Sequence, residues 1–130
     1  MNMKKYLYLS LSIIETALLI YLSVQPYKTA VMKPLLPMMR SGDIEHFLAY
    51  SIYAMLLINT SRAFNKSERY FLFFGLIIAS FTEAVQTIVP NRYGELMDML
   101  INYFGLFIGT IFMRLPLFSS KYEVKFSQSL

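Results

Sequence analysis

Asp43, His46 and Tyr50 stand three and four residues apart, the spacing that places side chains on one stripe of a helix. Glu83 and Gln86 repeat that spacing, and Asp98, Asn102, Gly105 and Gly109 repeat it again. An imidazole beside carboxylates can move a proton as a general acid or base. His46, oriented by Asp43 or Glu83, is suited to that work. Glu83 and Asp98 can instead offer hard oxygen ligands to a divalent cation, although no cofactor is required by the pattern. Arg92 follows Pro90 in a short segment, and its fork of donors suits a phosphate or a carboxylate. The candidate catalytic residues are therefore His46, Glu83 and Asp98. Arg92, Gln86, Asn102, Asp43 and Tyr50 are the candidates to hold a substrate. No nucleophile stands out.

Each of these residues also has a plainer role. Asp43 can cap the N-terminus of a helix, and His46 can be a satisfied histidine at an interface. Tyr50 and Asn102 can tie helices together by hydrogen bonds. Glu83 can pair with Arg92 or His46 in a purely structural ion pair, and Arg92 can pair with Asp98 or Glu83. Glu15 stands apart from the others, in the middle of an apolar run near Ser12 and Thr16. It reads as a neutral, hydrogen-bonded carboxyl, with a proton-relay role as the sharper alternative.

The segments that must position these groups are strongly apolar. Of the 130 residues, 56% are hydrophobic and 15% charged, against roughly 25% charged in soluble domains. That balance indicates one integral membrane domain. The absence of cysteine excludes disulfides, thiolate nucleophiles and zinc–thiolate sites, and one histidine excludes a multi-histidine metal site within one chain. The net charge of +4 is scattered through short connectors, where it reads as a topology signal facing anionic lipid and not as a nucleic-acid surface.

Four spans are expected, at about residues 6–24, 44–58, 70–89 and 96–117, followed by a polar tail over 118–130. The first run would be about 28 Å long as a helix, close to the hydrocarbon thickness. It is long for a signal-peptide core and has no A-x-A-like site after it, so an uncleaved span is expected. Pro26, Pro34 and Pro37 break the connector that follows. The 44–58 run is short, which puts its Asp43–His46 end at the headgroup boundary. With both termini cytoplasmic, Lys4, Lys5, Arg62, Lys66, Arg69, Arg114, Lys121 and Lys125 lie inside. Lys28, Lys33, Arg40 and Arg92 then lie outside, which satisfies the positive-inside rule. Three polar stripes fall at one depth near the outer face. Lipid rejects all three, so they should face one another, with Gly105 and Gly109 admitting a close neighbour.

Asp43, His46, Phe47 and Tyr50, then Thr82, Glu83, Gln86, Pro90 and Arg92, then Asp98, Asn102, Gly105 and Gly109 form three boxes in order. Together they resemble the VanZ-like family of small membrane proteins over about residues 6 to 115. Ser23, Gln25 and Pro26 are also similar to the family's end of the first helix. The family often has a lysine after the first aspartate; here it is Ile44. The resemblance implies an all-α, four-helix integral membrane protein. Through the family's namesake it implies a link to teicoplanin-type glycopeptide resistance, without fixing a biochemical activity.

Three functions are compatible with these residues. The leading one is a non-enzymatic scaffold or modulator of envelope assembly, with the polar cluster as helix glue. Another is an enzyme or binder acting at the outer leaflet on a lipid-linked anionic substrate, such as a cell-wall precursor or an anionic lipid. The third is a small oligomeric transporter, for which four spans are few. In each case the expected setting is multi-pass in the plasma membrane, with the lipid bilayer as partner, homo-oligomers allowed and no nucleic acid.

Overall fold

A computed structural model of the chain describes residues 2–25, 35–39, 42–90 and 95–116. Four α-helices account for most of them: α1 (Met3–Val24), α2 (Asp43–Ala63), α3 (Glu68–Gln86) and α4 (Leu96–Met113). Successive helices run in alternating directions. Lys5 near the start of α1 lies over the ring of Phe64 just past the end of α2, and Ser12 and Thr16 meet Thr60 and Tyr53 in reverse order. α2 is the central helix. It packs on all three others and most extensively on α4, while α1 leans on α2 and α3.

Local chemistry explains the ends of α2. Gly42 occupies the N-cap with φ 94°, a left-handed conformation that suits glycine. Asp43 is therefore the first helical residue, not the cap expected of it. At the other end α2 continues five residues beyond the expected limit at Ile58. The polar residues there remain helical because they bond back to helix carbonyls: Asn59 to Met55 (2.9 Å), Thr60 to Leu56 (2.8 Å) and Ser61 to Ile58 (2.7 Å). With 21 residues, α2 is about 31 Å long and no longer short for a membrane. α3 stops at Gln86, earlier than expected, and turns at Thr87 and Ile88 lead to Pro90, which has no N–H to continue a helix. The 118–130 tail lies outside the described residues.

Glycine decides how closely α2 and α4 approach. A Cβ on Gly105 would come within 2.7 Å of the Phe47 carbonyl oxygen, and one on Gly109 would overlap the Ser51 carbonyl oxygen. Ser51 marks the same contact, its hydroxyl donating to the carbonyls of Phe47 (2.8 Å) and Gly105 (3.1 Å). The Gly105–Gly109 spacing thus admits α2 against α4, as expected from a GxxxG face.

Much of the outer surface is apolar. α1 and α4 are each long and apolar enough to cross a membrane. Ile13, Ile14, Leu18 and Tyr21 on α1 are exposed, as are Phe73 and Ile77 on α3 and Phe104 and Phe107 on α4. The interior, by contrast, holds Thr60, Thr82, Asn102 and Asp98 almost without exposure. Buried polar side chains beneath so much exposed apolar surface reverse the usual pattern of a soluble bundle.

Candidate functional site

α2 and α4 begin, and α3 ends, at the same end of the bundle. Asp43, His46 and Tyr50 arrive there from α2, Glu83 and Gln86 from α3, and Asp98 and Asn102 from α4. The three stripes expected from spacing do converge. Asp43, Tyr50, Glu83, Gln86, Asp98 and Asn102 are all buried, whereas the His46 side chain retains 17% exposure. Arg92, the expected anion holder, lies outside the described residues.

Asn102 is the link between the helices. Its amide nitrogen donates to Glu83 Oε1 at 3.1 Å, and its carbonyl oxygen lies 2.8 Å from His46 Nδ1. An amide oxygen only accepts, so Nδ1 carries the proton in this contact. The ring nitrogen left over is Nε2. Glu83 Oε1 is also 3.9 Å from His46 Nδ1, so the expected Glu83–His46 contact forms, with Asn102 inserted as a bridge. Asn102 is fully enclosed, with both ends of its amide engaged.

Helix ends distribute the electrostatics unevenly. Asp98 sits in the first turn of α4 and Asp43 in the first turn of α2, where free N–H groups favour negative charge by about 0.3–1 kcal/mol. Glu83 is in the last turn of α3, where the dipole opposes it. Side-chain donors must compensate, and Asn102 is one of them.

Tyr50 behaves as the interhelical tyrosine of its plainer reading. Its hydroxyl is 2.7 Å from Thr82 Oγ1, whose own proton can go to the Ala79 carbonyl at 3.0 Å. Thr82 and Ser51 were not among the candidate site residues. Thr82 shares a helix stripe with Gln86, four residues on, which was the available signal.

Ligand atoms of His46, Glu83 and Asp98 all lie within 4.8 Å of one another, close enough to surround a metal ion. This adds His46 to the pair expected from sequence. A cation bound through Nδ1 would have to displace the Asn102 contact. Proton transfer at Nε2 requires no such rearrangement.

The opposite end has different chemistry. Arg62 Nε bonds Glu68 Oε1 at 2.7 Å, and Arg62 Nη2 donates to the Met113 carbonyl at 3.2 Å. Arg114 meets the other Glu68 oxygen at 2.9 Å. Residues that read as topology signals here also fasten α2, α3 and α4 together.

The family model described as VanZ/LLP1 matches residues 5–118. No curated protein and no solved structure matches the chain.

Proposed function

The chain belongs to the VanZ/LLP1 family, and from that premise we propose an integral membrane protein whose polar end acts by proton transfer on a lipid-linked anionic substrate. Two helices capable of crossing a membrane and an apolar exterior support insertion. The distribution of lysine and arginine supports cytoplasmic termini and a polar end at the outer face of the plasma membrane. A lipid-linked cell-wall precursor fits a site at that depth. Such a substrate would connect the site to envelope assembly and to the teicoplanin resistance of the family's namesake.

The observation that carries this proposal is the bridge from Glu83 through Asn102 to His46. It fixes one tautomer and leaves Nε2 to exchange a proton with the substrate. Asn102 and Tyr50, both enclosed, position other groups; Arg92 is assigned the anionic group for its donor geometry. Asp98 supplies a second carboxylate near the imidazole.

His46 is the sole histidine, so an isotopic label on histidine reports this ring alone. Nitrogen NMR of the purified protein should find the proton of the neutral ring on Nδ1. Replacing Asn102 with leucine should release that preference. A neutral ring with its proton on Nε2 in the unmodified protein would contradict the proposed role.

One observation favours a second reading, a non-enzymatic scaffold. Asn102 joins α2, α3 and α4 with no exposure, as helix glue does. His46 retains exposure that glue does not require, and for that reason the acid–base role is preferred.

A further inference from the structure

Glu15 is the only charged residue of α1 after Lys5. It lies on the inward stripe with Ser12 and Leu19, both buried, and is itself half-buried. It makes no hydrogen bond or ion pair among the described residues, and Ser12 and Thr16 beside it bond elsewhere. Among the described residues, the hydrogen-bonded carboxyl expected from sequence does not form.

The neighbouring helices give Glu15 no countercharge. α2 carries none from Phe47 to Ser61, α3 none from Tyr70 to Thr82 and α4 none from Met99 to Met113. Tyrosines are the titratable groups in those stretches: Tyr50 and Tyr53 on α2, Tyr70 on α3 and Tyr103 on α4. Tyr53 reaches this part of α1, its hydroxyl 2.7 Å from Thr16 Oγ1. Lys5, ten residues back on the same helix, is about 15 Å away along the axis. An ionised carboxylate held there in hydrocarbon has neither water nor a cation to stabilise it, and such groups take up a proton instead.

We propose that Glu15 is a proton-binding site in the membrane-spanning part of the bundle, its carboxyl neutral at physiological pH. This rests on the membrane reading given above. Two hydroxyl contacts near Glu15 hold α1 against α2, Ser12 with Thr60 at 2.8 Å and Thr16 with Tyr53 at 2.7 Å. A neutral carboxyl lets that seam close; an ionised one draws α1 toward water.

Dicyclohexylcarbodiimide in membranes at pH 7 provides the test, because it enters hydrocarbon and reacts with protonated acids. The acid proton passes to one carbodiimide nitrogen while a carboxyl oxygen bonds the central carbon, and rearrangement gives a stable N-acylurea with nothing released. Peptide mass mapping should find one adduct per chain, at Glu15. A glutamate in water is protonated about one time in 500 at pH 7, so labelling on the order of 100-fold above exposed carboxyls is expected. Glu15→Gln should abolish it, and a water-soluble carbodiimide should leave Glu15 unmodified. Site mapping on the unmodified protein stands even if the variant folds poorly. No adduct at Glu15, or equal reaction with the water-soluble reagent, overturns the proposal in protein that alkaline carbonate leaves in the membrane. Release by carbonate overturns the membrane reading, and the proposal with it.

Discussion

At the scale of single residues, Asn102 on α4 ties the polar end to α2 through His46 and to α3 through Glu83. Truncating Asn102 to leucine removes a donor from Glu83 and an acceptor from His46 at once. Leaving such groups unsatisfied costs about 1–3 kcal/mol, so the variant should melt several degrees lower in detergent. Glu83→Gln keeps an acceptor oxygen for the Asn102 amide and should melt above Asn102→Leu. The candidates themselves were legible from spacing, since periods of three and four put His46, Glu83, Asp98 and Asn102 on inward stripes. The order of contact was not. Periodicity identifies a face but not the partner across it, so Asn102 inserting between His46 and Glu83 had no local signature.

At the scale of helices, α2 and α4 approach closely and bring His46 to Asn102. Four helices, the Gly105–Gly109 face and convergence of the polar stripes were all readable in the sequence. The length of α2 was not, because Asn59, Thr60 and Ser61 look like a polar connector until their side chains are seen to bond within the helix. Asp43 lost its expected capping role to Gly42 for a similar reason: a left-handed φ is a property of the backbone path. The glycines make a graded prediction. Gly109→Ala drives a methyl into the Ser51 carbonyl, whereas Gly75→Ala meets only the side-chain ends of Leu57 and Leu106. Overpacking against backbone should lower unfolding stability in mixed detergent by about 1–3 kcal/mol at Gly109, and by less at Gly75.

At the scale of the whole molecule, the two ends of the bundle divide the work. Arg62, Glu68, Arg114 and the Met113 carbonyl fasten one end through ion pairs and a helix carbonyl. The other end gathers buried carboxylates and the one imidazole under an apolar exterior. In the proposed reading, the ion-paired end is the cytoplasmic one and the polar end is the working one. Composition revealed the apolar exterior directly. The ion-paired end was hidden, because Arg62 and Arg114 already read as topology signals and Arg114 stands far along the chain from Glu68. The most direct measurement is a mass-spectrometric inventory of lipids bound to purified protein, compared among the unmodified chain, His46→Ala and Arg92→Ala. A site for a lipid-linked anion predicts one anionic lipid enriched over the bulk membrane, retained or increased in His46→Ala and lost in Arg92→Ala. The same lipid composition as the bulk membrane in all three proteins would contradict it.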